Sequence, residues 1–160
     1  MKRHRIVWIA CWLFVALLSP TSNGQIDSNY DYFLAKQKRF NSFEKDFVSF
    51  AKAHMGDSLE YQIAEGFQVV AALSQERMNA ARMLTDINDN LVCPADRELV
   101  RVHLRRLLDS DISLISLDIE SMNNGLSYTR FPAISQTAIQ MKDELREVKS
   151  RLETVRKSLD

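Results

Sequence analysis

The sequence predicts an all-α protein, an antiparallel up-down-up-down four-helix bundle that follows an N-terminal signal peptide. Three observations lead to this prediction. The chain opens with a short basic segment and then an apolar one. Four long stretches follow in which apolar residues recur three and four positions apart. Beyond the N-terminal segment, the few glycine and proline residues other than Gly66 fall between these stretches, near Gly56, Pro94 and residues 125–132, where helices are expected to end.

Residues 1–24 have the layout of a secretory signal peptide. Three basic residues precede an unbroken apolar run over residues 6–18, whose 13 residues are fewer than the roughly 17–25 that a membrane-spanning helix needs. Ser22 and Gly24 supply the small side chains that a signal peptidase requires, so we expect cleavage after Gly24. An exported protein, periplasmic or extracellular, is the expectation. The alternative is an uncleaved segment that anchors the domain in a membrane.

The composition of residues 25–160 indicates one domain and narrows its function. These 136 residues are enough for one hydrophobic core, and their net charge of −3 supplies no basic face for nucleic acid. Cys93 is the only cysteine beyond the signal segment, so it has no partner for an intramolecular disulfide. Three interpretations of Cys93 stay open: a buried apolar residue, an intermolecular disulfide, or a reactive thiol.

Four helices are predicted, over residues 29–54, 57–88, 94–122 and 132–159. Their similar lengths and short connections favour antiparallel neighbours, and Asn123-Asn124-Gly125 is a typical end for the third. The stripe of the third helix consists of Leu104, Leu108, Ile112, Ile115, Ile119 and Met122. The fourth has the most regular heptad spacing, at Ile134, Ala138, Met141, Leu145, Val148, Leu152, Val155 and Leu159.

The first helix has five phenylalanines at helical spacing on one stripe. They are Phe33, Phe40, Phe43, Phe47 and Phe50. One interpretation is a plain core seam, because every helix of a bundle must bury one apolar stripe. The other is the lining of a cavity for a small apolar ligand.

The second helix begins with Asp57 as the expected N-cap and Glu60 as the second member of a capping box. Gly66 and Arg77 interrupt its apolar stripe. The glycine indicates a close approach to another helix. If the second and third helices pair about their connection, Arg77 faces Asp109 or Asp111 in a half-buried ion pair. The alternative is an arginine whose head reaches water. The stripe consists of Leu59, Ile63, Val70, Leu73, Ala80, Leu84, Ile87 and Leu91.

The polar residues of the chain form no recognisable catalytic or metal site. His54 and His103 do not occur in a Glu-x-x-His spacing, and no nucleophile has a base placed beside it. Four arginines early in the third helix form a basic face, which is either solvated or binds an anionic partner such as a lipid headgroup. They are Arg97, Arg101, Arg105 and Arg106.

These patterns predict an exported, non-enzymatic helical bundle that acts as an interaction or envelope-structural module. We expect a protein partner or self-association, no cofactor, no metal and no nucleic acid. Membrane contact is expected only if the N-terminal segment stays uncleaved. The alternative function is a carrier of a small apolar ligand between the phenylalanines. A third, a chaperone-like binder of unfolded proteins, requires an exposed apolar groove.

Overall fold

A computed structural model describes residues 28–160, which form four α-helices and no strand within that range. The helices are α1, Asn29–Ala53; α2, Ser58–Asn90; α3, Pro94–Tyr128; and α4, Pro132–Lys157. The predicted all-α class is therefore confirmed for these residues. The predicted signal peptide lies outside them. No helix between residues 28 and 160 is long and apolar enough to cross a membrane.

The core between α1 and α2 joins large side chains of one helix to small side chains of the other. Phe33, Phe40, Phe43 and Phe47 of α1 are at most 1% exposed. The ring of Phe47 lies 5.4 Å from the ring of Phe67 in α2, measured between centroids. Small side chains in α2 leave room for such rings. Between residues 59 and 90, eight of the nine buried residues of α2 alternate in steps of four and three, and the ninth is Val70. The eight are Glu60, Ala64, Phe67, Ala71, Ser74, Met78, Ala81 and Thr85.

Part of the predicted apolar stripe of α2 faces outward, whereas Val70 of that stripe is buried and Ile63 and Leu84 pack against the core. Leu59, Leu73 and Ile87 were expected in the core, yet each is 40–41% exposed. The expectation was wrong because it weighed hydrophobicity and ignored volume. The phenylalanines of α1 fill the space beside α2, so the helix turns its alanines and serine inward.

The other two helices complete the core. All eight predicted seam residues of α4 are at most 5% exposed. In α3, Asp111 is buried, whereas Ile112 and Ile119 from the predicted stripe are only partly buried. α1 packs against α2 and α4, and α3 packs against the same two helices. On the α1–α4 side, Lys36 forms ion pairs with Glu144 and Glu147.

Glu60 ties the start of α2 to the connection between α3 and α4. Asp57 caps α2 as predicted, because its side chain accepts hydrogen bonds from the backbone N–H groups of Leu59 and Glu60. The carboxylate of Glu60 does not complete the capping box. It accepts hydrogen bonds from the Thr129 hydroxyl and the Arg130 backbone N–H, both at 2.6 Å. Since Glu60 is only 1% exposed, these bonds satisfy a buried carboxylate.

Gly125 lies inside α3 and not at its end. The helix continues to Tyr128, and none of the described glycines has a positive φ. A Cβ atom at Gly125 would lie 2.8 Å from two ring carbons of Phe67, so the glycine allows the ring to rest against the backbone of α3. A Cβ atom at Gly66, where a close approach was expected, would have nothing within 4 Å. The close contact between helices therefore occurs at Gly125.

These two glycines make a matched pair for a stability measurement. We expect Gly125→Ala to destabilise the protein by about 1–3 kcal/mol, because the buried ring of Phe67 must move. Gly66→Ala has open space and should stabilise it by about 0.5–1 kcal/mol through helix propensity. Urea denaturation followed by circular dichroism measures both. Equal effects of the two substitutions would contradict the assigned contact.

Candidate functional site

Arg77 and Asp118 form a nearly buried ion pair between α2 and α3. The guanidinium donates to the Asp118 carboxylate, and the side chains are 11% and 16% exposed. Asp109, one of the expected partners, instead accepts from Arg156 of α4 at 2.9 Å. α3 joins the core only from Leu104 onward, because its first turns are exposed. Asp118, which lies level with Arg77, is therefore further along α3 than the residue expected when α2 and α3 are paired residue by residue outward from their connection.

Asp111, the other expected partner, occupies a core position of α3 between Leu108 and Ile115. It is 4% exposed, and its Oδ2 atom accepts no hydrogen bond from residues 28–160. Burial raises the pKa of the Asp111 carboxyl to about 6, and the positive charge of Arg77 opposes that rise. Arg77 thus acts on Asp111 through charge while it donates its hydrogen bond to Asp118. Burial thus disfavours the ionised form of this carboxyl relative to the protonated one.

Nine positions at heptad spacing lie on the outward face of α2, and we call them the outer seam. Its residues are Leu59, Gln62, Gly66, Val69, Leu73, Glu76, Ala80, Met83 and Ile87, in alternating steps of three and four. Six of the nine positions hold apolar residues; Gln62, Gly66 and Glu76 do not. At 100° per residue, the outer seam lies about 150° around the helix from the buried residues of α2. Val69 and Met83 are 51% and 52% exposed. On the adjoining face of α3, Leu114 and Leu117 extend the apolar surface, with 40% and 60% exposed.

The predicted ligand-lining phenylalanines pack into the core. Four of the five are at most 1% exposed, and Phe50 is half-buried. Ring centroids of Phe40 and Phe43, and of Phe47 and Phe50, lie 6.0 Å apart in edge-to-face contact. Such contacts are typical of a packed aromatic core.

Cys93 lies in the connection between α2 and α3, where its thiol is free and exposed. Its exposure excludes the interpretation as a buried apolar residue. The intermolecular disulfide and the reactive thiol remain predictions. The neighbouring Val92 is 90% exposed, so the connection is accessible to another molecule.

The basic face of α3 binds the end of α4. Arg101 donates to the backbone carbonyl of Leu159 at 2.6 Å, and Arg105 donates to the same oxygen. Arg97 donates to the carbonyl of Leu91 at 3.1 Å, at the end of α2. Carbonyl groups at helix ends lack partners within the helix, and cationic side chains satisfy them. Arg97, Arg101 and Arg105 are thus structural caps, a role that sequence spacing did not reveal. Arg106, the fourth arginine of the predicted face, is exposed.

Comparison with known proteins adds no relative. No protein-family model, curated protein or solved structure matches the chain. Within residues 28–160, no group of three or more histidine, cysteine, aspartate or glutamate residues could hold a metal ion. The outer seam and the polar cluster of Arg77, Asp111 and Asp118 beside it are the features that bear on function.

Removing one member of the Arg77–Asp118 pair should destabilise the protein more than replacing both members by apolar residues. Arg77→Ala should destabilise the protein by about 3–5 kcal/mol, because it leaves Asp118 without its partner and Asp111 without a compensating charge. Arg77→Met together with Asp118→Leu should cost less than Arg77→Ala alone. Urea denaturation measures all three proteins, with Asp109→Asn as the control for an exposed pair. A double variant less stable than Arg77→Ala would contradict this account.

Asp111 should make stability depend on pH. Folding raises its pKa from 3.8 to about 6, so protonation favours the folded state. This contribution is complete below the lower pKa and is lost as pH rises through the higher one. Between pH 4.5 and 7.5, wild type should lose about 1–2 kcal/mol relative to Asp111→Asn. Denaturation curves of both proteins at several pH values measure the difference, with Asp46→Asn as an exposed control. A difference that does not change with pH would refute the assignment.

Proposed function

We propose that the protein is an exported, non-enzymatic helical bundle that acts as an interaction or envelope-structural module. The observation that carries the proposal is the outer seam, since large aliphatic side chains remain exposed on α2 although the core beside them is filled. Exposed apolar surface of this kind marks sites of protein contact more often than sites of catalysis. The proposed binding mode is docking of another polypeptide on the helical surface.

The finer architecture belongs to the same proposal. We infer an up-down-up-down bundle, since rising residue numbers in one helix meet falling numbers in the next. The supporting contacts are Tyr30–Arg82 and Phe47–Phe67 between α1 and α2, Phe67–Gly125 and Arg77–Asp118 between α2 and α3, and Asp109–Arg156 and Asn123–Lys142 between α3 and α4. Export rests on the sequence of residues 1–24 alone.

The test is native mass spectrometry of the protein purified from the cells that produce it. We expect a chain that begins at Gln25, in complex with a second polypeptide at fixed stoichiometry. An intact N-terminal segment would contradict the proposed export with cleavage. Extra mass that is small and lost only on denaturation would favour the carrier function, with Phe33, Phe40, Phe43, Phe47 and Phe50 as its lining. A bare monomer would contradict both functions.

A further inference from the structure

We propose that the outer seam of α2 is the docking site for a basic amphipathic helix of a partner protein. This inference rests on the proposed interaction function and gives the partner its chemistry. The spacing of the outer seam suits a second helix. Alternating steps of three and four are the pattern by which one α-helix receives the side chains of another. From Leu59 to Ile87 the seam extends about 42 Å at 1.5 Å per residue, the length of a long helix.

The outer seam is not covered by the other helices of the bundle. The inner heptad of α2 is buried against the core, whereas Val69, Leu73, Met83 and Ile87 of the outer seam are 41–52% exposed. A helix that is apolar on two opposite faces has one face more than its own bundle requires. A docked helix would bury the second face as the core buries the first.

The charged residues on and beside the outer seam are acidic. Glu76 lies on the outer seam, and Glu65 and Asp86 lie on the edge one heptad position away; all three are exposed and none forms an ion pair within residues 28–160. Of the two basic residues of α2, Arg77 binds Asp118. Arg82 donates to the neutral side chains of Asn79, at 2.8 Å, and Tyr30, and forms no ion pair within residues 28–160. Three carboxylates therefore stand against one unpaired cation. The face is therefore both apolar and acidic.

This charge decides which occupant fits. A second copy of α2 on the same seam would bring three further carboxylates against Glu65, Glu76 and Asp86, with only Arg82 of each copy to offset them. A helix with aliphatic residues at heptad spacing and lysine or arginine beside them places cations opposite these carboxylates. Complementary charges beside a coiled-coil seam set the choice of partner.

The test uses two synthetic helices of about four heptads with leucine at the seam positions. One has lysine at the flanking positions, and its twin has glutamate there. Fluorescence anisotropy of the labelled peptides measures binding to the full protein. We expect the lysine peptide to bind and the glutamate peptide to bind at least about tenfold more weakly. Leu73→Asn and Glu76→Lys should each weaken the lysine peptide by a similar factor.

Ile139 supplies the matched control, because it is an exposed aliphatic residue, 47% accessible, on α4. Ile139→Asn should leave binding of the lysine peptide unchanged. Circular dichroism melting establishes that each variant is folded. Equal binding of both peptides, or equal losses in Leu73→Asn and Ile139→Asn, would overturn the proposal. So would a wild-type dimer in sedimentation equilibrium that Leu73→Asn dissociates, since the occupant would then be a second copy.

Different results would contradict the docking site on α2 and the interaction function. If the native complex persists in Leu73→Asn while the lysine peptide does not bind wild type, the protein is an interaction module whose site lies elsewhere. If no polypeptide accompanies the protein in its own cells, the interaction function itself is wrong. Loss of the native complex in Leu73→Asn but not in Ile139→Asn supports both.

Discussion

The match in size between α1 and α2 determines how the rest of the molecule is arranged. Phenylalanines of α1 occupy the space between the two helices, and small side chains of α2, among them Ala64, Ala71 and Ser74, are fully buried on the facing side. Close packing of this kind fixes the rotation of α2 about its own axis. Once that rotation is set, Leu73 and Ile87 have to face outward. The exposed outer seam is thus a geometric consequence of the aromatic core.

The same rotation brings polar groups to the boundary between α2 and α3. Arg77 reaches Asp118 across this boundary, and Asp111 lies buried nearby in the charge field of Arg77. Buried ions offer little net stability, because desolvation offsets much of their attraction. Gly125 adds close packing with Phe67 on the same side. The α2–α3 boundary is held by specific contacts, whereas the α1–α2 boundary is held by apolar volume.

Regular periodicity made the helices and the α4 seam predictable, because heptad spacing depends only on the order of residues. The buried face of α2 was not predictable in this way, since it depends on the volume that α1 presents. The partner of Arg77 also depended on distance in space: the exposed first turns of α3 shift Asp118, and not Asp109, to the level of Arg77. Glycine occurs both at helix ends and where a side chain packs closely against a helix backbone. The sequence alone could not distinguish these roles for Gly125, whereas the position of the Phe67 ring identifies the second.

The proposed docking gives a physical reason for the carboxylates on and beside the outer seam of α2. An uninterrupted aliphatic stripe on an exposed helix invites nonspecific association, including pairing with its own copies. Glu76 on the seam and Glu65 and Asp86 on its edge make such pairing costly, because like charges would lose water without gaining a counterion. The same three carboxylates favour a cationic partner. In the proposed docking, one set of charges therefore disfavours a second copy and favours a cationic helix, and the apolar residues between them supply the contact area.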